Sequence, residues 1–374
     1  MNSDNDGRRP KVALICEWLI TYAGSEKVAE AILSVFPEAD VYAVVDFLPE
    51  ESRGWLRGKK VQTTFIQNLP GAKKHYKSYL PLMPLAIEQL DLSGYDLIIS
   101  SSHCVAKGVL TGPDQLHISY VHSPMRYAWD LTHEYLRETG LDKGLKGWMA
   151  KLILHYLRLW DTRTANGVDH FLANSRFIAR RIRKAYGREA EVIYPPVAVE
   201  SFPLGKEKDA HYLTASRLVP YKKVNVIVEA FNRMPDRRLV VIGAGPGLEE
   251  IRQMAGPNIE VMGYQPDEVL CEKMQRARAF VFAAEEDFGI TPLEAQASGT
   301  PVIAYGKGGA LETVREDTGL FFAEQTPEAI VAAVNEFESR EHSFLYERCR
   351  TWAESFGQER FCREFKDFVE SKMT

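Results

Sequence analysis

The sequence has few of the features that mark secreted, membrane-spanning or zinc-binding proteins. Its five cysteines are scattered and form no C-x-x-C pair (Cys16, Cys104, Cys271, Cys349 and Cys362). An odd, dispersed set predicts reduced thiols rather than a disulfide framework or a zinc site. No run of 18 apolar residues occurs, and the N-terminal MNSDNDGRRP is polar. Neither a membrane span nor a signal peptide is predicted, and we expect a cytoplasmic chain.

The chain also lacks a strong surplus of positive charge. Residues 1–195 hold 25 Lys and Arg against 22 Asp and Glu, and residues 196–374 hold 21 against 29, which gives the net charge of −5. A nucleic-acid-binding protein would carry one strongly basic face. The balance therefore predicts no nucleic-acid partner, although local basic clusters remain.

Two motifs of nucleotide chemistry are missing. No G-x-G-x-x-G follows the first strand-like segment, KVALICEW, as it would in a nicotinamide-dependent oxidoreductase. The only D-x-D is Asp4-Asn5-Asp6, in a polar N-terminal tail. Since paired carboxylates are the usual means of holding Mg²⁺ against a diphosphate, we expect no metal and no resident cofactor.

What the chain does contain is an alternation of strand and helix segments, twice over. The predicted strands are KVALICEW (11–18), VYAVVDF (41–47), YDLIISSS (95–102), HISYVHS (117–123), DHFLANS (169–175) and EVIY (191–194), then HYLTASR (211–217), RLVVIGAG (238–245), IEVMGY (259–264), AFVFAAE (279–285), PVIAY (301–305) and GLFF (319–322). Such alternation predicts an α/β protein with two doubly wound, parallel-sheet, Rossmann-like domains.

The domain boundaries follow from the breaks in this pattern. We predict an N-terminal domain over 1–195, a C-terminal domain over 196–355, and a final helix over 356–374 that packs back on the N-terminal domain. The join is the segment 195–211, which is rich in proline, glycine and charge. Ligands of open parallel sheets bind beyond the carboxyl ends of the strands. We therefore expect the ligand in a cleft between the two domains.

The stretch EEDFGITPLEAQASGTPVIAY (285–305) predicts a strand, a loop, a helix and a second strand. Gly289 permits a tight turn, and Thr291-Pro292 suits a helix start. Backbone N–H groups of residues 289–291 would then form an anion site at the positive end of a helix. Glu286 on the loop and Glu294 on the first helical turn are acceptor-only groups suited to sugar hydroxyls, although either could simply complement the helix dipole.

A second part of a phosphate site is predicted in SRLVPYKK (216–223), where Arg217 ends a strand and Lys222 and Lys223 stand at a helix start. Cations there oppose the helix dipole unless an anion lies between them. The segment thus indicates a bound diphosphate, with a solvated lysine pair as the alternative. The glycines of VVIGAGPGLEE match neither the dinucleotide fingerprint nor the P-loop.

These segments together resemble the retaining, GT-B-fold glycosyltransferases of family 4. The resemblance rests on SRLVPYKK, VVIGAGPGLEE, VMGYQPDEVL and EEDFGITPLEAQASGTPVIAYGKGGALETV, whose glutamates match the family's E-x7-E element, and it spans about residues 11 to 355. In the first domain AGSEKVAEAI (23–32) resembles the family's glycine loop. SYVHSPMRYAWD (119–130) resembles a subgroup with mannosyltransferases of bacterial surface-polysaccharide assembly.

The resemblance implies a role for each matching residue. Arg217 and Lys222 would hold the donor diphosphate with backbone N–H groups of Ile290 and Thr291. Glu294 would bind the ribose and Glu286 the transferred sugar. Three further roles are implied for backbone near Met262, which would border the base, for Gly24, which would let its loop approach the phosphates, and for His122, which would contact the sugar. The family loop commonly has two adjacent glycines, whereas this chain has Ala23-Gly24-Ser25.

His122 is also singled out by its position, since it ends an apolar strand before Ser123-Pro124 and should point toward the ligand. A purely structural histidine is the alternative. For the following residues Arg126, Tyr127, Trp129 and Asp130, acceptor contact and packing are equally expected.

The resemblance implies a sugar nucleotide as co-substrate, with GDP-mannose as the expected donor and a UDP-hexose as the fallback. A glycan or polyprenyl-linked saccharide is the expected acceptor. A catalytically silent sugar-nucleotide-binding subunit remains an alternative, because fold likeness alone does not establish function.

Contact with the inner membrane surface is a further hypothesis. One candidate is the helix 147–163, with a predicted apolar stripe (Met149, Leu152, Ile153, Tyr156, Leu157 and Trp160) and a basic one (Lys151, His155 and Arg158). The alternative is that its apolar stripe packs into the core. The better candidate is the basic segment 70–87, which carries Lys73, Lys74 and Lys77 among aromatic residues.

Overall fold

The computed structural model describes residues 10–373. The predicted Asp4-Asn5-Asp6 motif lies outside the described residues. The chain divides into two compact units. The first contains the described residues up to Tyr194 and again those from Phe361 onward, and the second is Pro195–Arg360.

Each unit is built on one parallel sheet. The first sheet has seven strands: β1 (Val12–Leu19), β2 (Asp40–Asp46), β3 (Val61–Thr63), β4 (Leu97–Ser102), β5 (Leu116–Val121), β6 (His170–Ala173) and β7 (Ala190–Val192). The second has six: β8 (His211–Ala215), β9 (Arg238–Ile242), β10 (Ile259–Gly263), β11 (Ala279–Phe282), β12 (Val302–Tyr305) and β13 (Gly319–Phe322). Their spatial orders are β3-β2-β1-β4-β5-β6-β7 and β10-β9-β8-β11-β12-β13.

Helices follow or separate the strands in both units. They are α1 (Gly24–Val35), α2 (Ala72–His75), α3 (Met83–Glu88), α4 (Thr132–Glu138), α5 (Gly144–Thr164), α6 (Arg176–Tyr186), α7 (Val224–Asn232), α8 (Leu248–Met254), α9 (Asp267–Arg276), α10 (Ile290–Ala297), α11 (Ala310–Thr313), α12 (Pro327–Arg340), α13 (Tyr346–Glu354) and α14 (Gln358–Met373). Short 3₁₀ turns lie at Glu50–Ser52, Gly54–Leu56, Phe65–Asn68, Tyr76–Leu82, Ala106–Gly108, Ala165–Gly167, Val199–Ser201, Pro220–Lys222 and Glu341–Ser343.

The twelve predicted strands are all present. They could be predicted because parallel strands that are buried on both faces consist of nearly continuous apolar runs. In β1, Val12 and Leu14 pack into one core, while Ala13 and Ile15 pack into the core on the opposite face. The edge strand β3 was not predicted. It is three residues long and only Val61 is buried, so it leaves no apolar run to detect.

The strand order reverses once in each sheet, between β1 and β4 and between β8 and β11. All pairings among these strands are parallel. At a reversal the following loops leave toward opposite faces and open a crevice at the carboxyl edge, where ligands of such sheets bind. The fold thus predicts which loops form a site.

The C-terminal helix α14 contributes to the core of the first unit. Phe361, Phe365, Phe368 and Val369 are buried in the same cluster as β1 and α1, and Phe361 packs edge-on to Tyr120 of β5 at 5.7 Å between ring centroids. Burying an aromatic side chain of this kind is worth about 2 kcal/mol, which anchors the helix to this unit.

Helix α5 differs from its predicted pattern. Of the expected apolar stripe, Leu157 and Trp160 are buried, but Met149, Leu152 and Tyr156 are exposed. Arg158 is half-buried and donates to the carbonyl of Ala128 at 2.8 Å. The predicted apolar stripe is therefore split between buried and exposed residues, while Lys151 and His155 of the predicted basic stripe are exposed. The helix has two apolar faces, and only one of them is covered.

Candidate functional site

In the second unit, the predicted phosphate and sugar residues lie at the reversal of strand order. Arg217 and Lys222 follow β8, and Glu286, Gly289 and the start of α10 follow β11, its direct neighbour. Loops that follow adjacent parallel strands leave the same edge of the sheet. The second unit therefore brings Arg217, Lys222, Glu286 and the start of α10 to one sheet edge, whereas Met262 lies in the edge strand β10.

The segment that carries Arg217 is held by close backbone contacts. A Cβ added to Gly243 would lie 1.8 Å from the carbonyl oxygen of Ser216, and one added to Gly245 would lie 2.4 Å from that of Leu218. Both glycines have positive φ, 148° and 154°, which other residues rarely adopt. These glycines of the VVIGAGPGLEE segment thus position the Arg217 backbone. The Arg217 side chain is exposed.

Lys222 and Glu286 form an ion pair between the two loops. Their side chains are 16% and 20% exposed, so the pair is largely but not fully removed from water. The Lys222 ammonium also lies 5.6 Å from the centre of the Tyr221 ring. Lys223 is the N-cap of α7 and takes a left-handed conformation with φ 56°. Of the two adjacent lysines, Lys222 faces the carboxylate and Lys223 serves the turn.

Two further glycines fix the backbone beside Glu286. A Cβ on Gly308 would lie 2.4 Å from the Glu286 carbonyl oxygen, and one on Gly309 would lie 2.3 Å from the Cα of Phe288. The Gly309 N–H donates to the Glu286 carbonyl at 2.7 Å. The loop after β12 thus packs against the backbone of residues 286–288, and a Cβ at Gly308 or Gly309 would collide with that backbone.

Helix α10 begins one residue earlier than predicted. Gly289 is its N-cap with φ 92°, so Ile290 and Thr291 are the first two helical residues. Their N–H groups, together with that of Leu293, are donors that the helix itself leaves unpaired at an N-terminus. This arrangement matches the predicted anion site at the positive end of the helix dipole.

The early start of α10 corrects the predicted position of Glu294. It is the fifth residue of the helix, so no acidic side chain lies in the first turn. Glu294 is 8% exposed. Because the dipole acts mainly on the first turn, complementing the dipole explains this buried glutamate poorly.

Met262 lies at the end of β10, half-buried, and its carbonyl accepts from the side-chain amide of Gln265 at 2.9 Å. Tyr264, two residues on, is 77% exposed. A surface pocket of about 400 Å³ lies nearby in this unit, between the segment 218–225 and α8, and is lined in part by Lys223, Pro246 and Glu250. Lys223 of the predicted phosphate site lines this pocket, whereas Arg217, Lys222 and Glu286 do not.

In the first unit, His122 follows β5 and is held by three hydrogen bonds. Its Nε2 lies 2.8 Å from the Ser101 hydroxyl, its N–H donates to the Ser102 carbonyl at 2.8 Å, and its carbonyl accepts from Asn174 at 2.9 Å. Burial, with a smaller contribution from His103, lowers the pKa of His122 to about 3. The imidazole is neutral at physiological pH and is suited to hydrogen bonding rather than to carrying charge.

Glu17 is a buried carboxylate that the sequence reasoning missed. It lies in β1 and is 3% exposed. It accepts from four successive backbone N–H groups after β4, at 2.6–3.0 Å, and from the Ser102 hydroxyl at 3.1 Å (residues 103–106). The carboxylate fixes the loop across the strand reversal. One charged residue inside the apolar run KVALICEW was the available signal.

Gly24 is the first residue of α1, directly after the N-cap Ala23. Glu26 closes this helix start by accepting from the Ala23 N–H and from the Ser25 hydroxyl, both at 3.0 Å. Burial raises the pKa of Glu26, although these hydrogen bonds act against that rise. Glu17, Glu26 and Ser25 border one small enclosed space together with His103.

The segment after His122 is held by packing contacts. The Tyr127 hydroxyl lies 2.9 Å from the Cys104 sulfur, the Trp129 indole donates to Asp161 at 2.7 Å, and Asp130 pairs with Arg181. Asp161 is itself buried in an ion pair with Lys107 at 2.8 Å. These contacts favour packing for Tyr127 and Trp129 over contact with an acceptor.

No group of three or more His, Cys, Asp or Glu side chains suited to a metal ion occurs within residues 10–373. In the same range, no helix has the length and apolar character needed to cross a membrane.

Two family models match the chain, one over each half. Residues 23–201 match the model described as Glycosyltransferase Family 4, and residues 198–355 match the model described as Glycosyl transferases group 1. The matched ranges contain every predicted site residue from Gly24 to Glu294.

Curated proteins similar to the chain include two kinds of transferase. The GDP-mannose-dependent alpha-(1-6)-phosphatidylinositol monomannoside mannosyltransferase of Mycolicibacterium smegmatis is 29% identical over 46% of this chain and 54% of that protein. The D-inositol 3-phosphate glycosyltransferase of Geodermatophilus obscurus is 33% identical over 51% of this chain and 50% of that protein. The chain thus spans about half the length of the curated relatives it matches.

Solved structures resemble the chain over nearly its whole length. HepE of Anabaena, solved with UDP-glucose, has a TM-score of 0.69 at 16% identity and covers 96% of this chain and 99% of its own. Sucrose-phosphate synthase of Thermosynechococcus elongatus has a TM-score of 0.72 at 16% identity, with 98% and 99% covered. At this identity the likeness concerns the fold, and it confirms the predicted GT-B architecture of two doubly wound units.

Proposed function

Because this chain belongs to glycosyltransferase family 4, we propose that it is a retaining hexosyltransferase that moves mannose from GDP-mannose to a glycan or polyprenyl-linked acceptor in surface-polysaccharide synthesis. The single observation that carries the proposal is the arrangement at the β8–β11 reversal. There a guanidinium, an ammonium–carboxylate pair and the free N–H groups of a helix start are gathered at one sheet edge.

This arrangement suits a sugar diphosphate. Arg217 and Lys222 supply positive charge, and the N–H groups of Ile290 and Thr291 supply hydrogen bonds at the positive end of a helix. When the diphosphate departs, negative charge develops on its oxygens, and donors already in position stabilise that charge. No metal ion is needed for this step as we propose it.

The two glutamates suit the neutral part of the donor. Glu286 is an acceptor for hydroxyls of the transferred sugar, and Glu294 is an acceptor for those of the ribose. The pairing of Glu286 with Lys222 keeps the carboxylate next to the phosphate-binding cation. In this proposal Lys222 turns to the diphosphate when the donor binds, and Glu286 then accepts from the sugar.

Retention is proposed to occur on one face of the sugar. A glycosidase that retains configuration uses a carboxylate nucleophile on the face opposite the leaving group, but Glu286 is paired with the phosphate-binding lysine. We therefore propose that the leaving phosphate oxygen takes the acceptor's proton and that no covalent sugar intermediate forms. Glu286→Gln, which removes a nucleophile but keeps a hydrogen-bonding amide, should retain some turnover.

The choice of mannose rests on the curated relatives whose names specify GDP-mannose. A UDP-hexose is the second candidate, favoured by the HepE structures solved with UDP and UDP-glucose. Calorimetry with GDP and UDP separates the two. Binding of UDP at least tenfold more tightly than GDP would contradict the mannose assignment.

The decisive experiment measures nucleotide release from a panel of sugar nucleotides, with and without a polyprenyl-linked saccharide acceptor. We expect acceptor-dependent release of GDP from GDP-mannose and an α-linked product by NMR. A catalytically silent binding subunit would bind the sugar nucleotide but would release no free GDP from it. An inverted product, or a mannosyl adduct on Glu286 detected by mass spectrometry, would contradict the proposed mechanism.

A further inference from the structure

Helix α5 in the first unit has an uncovered apolar face. Its buried residues are Gly147, Leu154, Leu157, Trp160, Asp161 and Thr164. Large hydrophobic side chains are nevertheless exposed along the same helix, with exposed fractions of 76% for Leu145, 63% for Trp148, 51% for Met149, 51% for Leu152, 44% for Tyr156 and 60% for Leu159. Single exposed apolar residues are ordinary, but six on one helix form a patch that indicates an interaction surface.

The exposed residues form one continuous stripe. At 100° per residue, the six positions fall within about 100° of the helix circumference, on the side opposite the buried residues. A 21-residue helix is about 32 Å long at 1.5 Å per residue. The stripe runs along most of that length, from Leu145 in the first turn to Leu159 in the last part of the helix.

Positive side chains border the stripe. Lys146 lies about 60° beyond one edge of the stripe and Lys151 about 60° beyond the other, and both are exposed. Arg163 continues the stripe at the C-terminal end, with 71% of its side chain exposed. The only acidic residue of the helix, Asp161, is fully buried and paired with Lys107. The exposed charged residues of α5 itself are therefore all cationic, and they surround a stripe that is apolar.

A neighbouring helix extends this surface. Glu88 at the end of α3 accepts from the Trp160 indole at 2.8 Å and lies 3.5 Å from Arg163. Leu85, one turn earlier on the same side of α3, is 51% exposed. Lys73 and Lys74 of the preceding helix α2 are exposed as well.

We propose that the α5 stripe docks on an anionic lipid surface, with the helix lying in the plane of the interface. An apolar centre with lysine and arginine borders matches acyl chains beneath acidic headgroups, and an indole and a phenol ring are side chains that suit this boundary. A protein partner of opposite charge or a second copy of the chain is the competing occupant. The proposal does not depend on the donor or on turnover.

The test uses sedimentation of the full chain with vesicles of phosphatidylcholine alone and of phosphatidylcholine with an equal amount of phosphatidylglycerol. The wild type is expected to bind the mixed vesicles at least tenfold more strongly than the neutral ones, and less strongly at high salt. The double variant Leu152→Ser/Leu159→Ser should lose at least tenfold in binding to the mixed vesicles. The double variant Lys146→Gln/Lys151→Gln should bind the mixed vesicles several-fold more weakly than the wild type.

The matched control is Leu311→Ser/Leu345→Ser, which replaces two leucines of similar exposure, 54% and 47%, in the second unit. It should bind vesicles as the wild type does. Circular dichroism verifies that each variant is folded. A second readout is Trp148 emission, which should shift to shorter wavelength when mixed vesicles are added, and this shift should be absent from Trp148→Phe.

Three outcomes would overturn the proposal. The first is the absence of binding to the mixed vesicles. The second is equal binding by the wild type and Leu152→Ser/Leu159→Ser. The third is a wild type that forms dimers without vesicle binding while the Leu152→Ser/Leu159→Ser variant is monomeric, which would assign the stripe to a second copy of the chain.

Discussion

The two strand reversals use a glutamate in opposite ways. At the β1–β4 reversal, Glu17 is 3% exposed and its carboxylate is satisfied by backbone N–H groups of its own unit. At the β8–β11 reversal, Glu286 is 20% exposed and pairs with Lys222, while Arg217 beside them is exposed. A carboxylate that accepts from several backbone N–H groups is part of the framework, whereas we propose that one paired with a lysine side chain is available to a ligand.

The partners of a polar residue at a sheet edge distinguish a framework role from a ligand-binding role. Both glutamates lie at positions where the fold favours ligand binding, so position alone does not separate them. The partners do. Backbone donors cannot leave, but an ammonium on a flexible four-carbon chain can turn to another anion.

The comparison is tested most severely by removing Glu17. Glu17→Leu leaves four N–H groups, three of them buried, without an acceptor. At roughly 1–3 kcal/mol for each we expect a loss of at least about 4 kcal/mol in the free energy of unfolding. Urea unfolding followed by tryptophan fluorescence measures it, since five of the six tryptophans lie before residue 195. The exposed Glu38→Gln is the control. A loss below 1 kcal/mol would refute the framework role.

Removal of the cations in the second unit should affect turnover and leave stability nearly unchanged. Lys222→Ala and Arg217→Ala should each lower kcat by roughly 100-fold, which corresponds to a transition-state contact of about 3 kcal/mol. The assay is nucleotide release at saturating donor. Lys206→Ala removes an exposed lysine of the same unit and should turn over normally. If Lys222→Ala matched this control, the proposed role of the pair would be wrong.

The neutral histidines of the first unit predict acid sensitivity. Burial lowers the pKa of His117, which is fully buried, from 6.5 to about 4. Between these values the unfolded chain binds a proton that the folded chain does not, so stability falls as the pH falls. The free energy of unfolding should therefore be about 2 kcal/mol lower at pH 5 than at pH 7. Burial lowers the pKa of His122 as well.

Urea unfolding of His117→Gln at pH 7 and pH 5 checks this prediction. Between pH 7 and pH 5, the free energy of unfolding of the variant should fall by about 2 kcal/mol less than that of the wild type. The exposed His155→Gln should keep the wild-type dependence. Equal pH dependence in the wild type and His117→Gln would show that His117 is not the source.

The smallest expected effect separates the two adjacent lysines. Lys223 has φ 56°, a conformation that costs a residue with a side chain about 1 kcal/mol or more and glycine little. Lys223→Gly should therefore raise the free energy of unfolding of the second unit by up to about 1 kcal/mol. Thermal unfolding measures it, and Lys223→Ala, which lacks glycine's freedom, should be no more stable than the wild type. A clear destabilisation by Lys223→Gly would contradict this assignment.

Several parts of the site were predictable from the sequence because they depend on local order along the chain. Arg217, Lys222 and Glu286 each follow a buried apolar run, and such runs become adjacent parallel strands whose ends share an edge. The start of α10 was displaced by one residue because Gly289 adopts a left-handed cap. That small shift moved Glu294 out of the first turn.

The alternation of strands and helices follows from the order of residues along the chain, and it implies two parallel sheets and the residues at their carboxyl edges. Which partner each polar or apolar group meets depends on tertiary packing. Glu17 finds donors 86 to 89 positions away, Lys222 meets Glu286 at a separation of 64, and α5 buries one of its two apolar faces and exposes the other. Periodicity is a local property of the chain, whereas coverage depends on distant segments that pack against it.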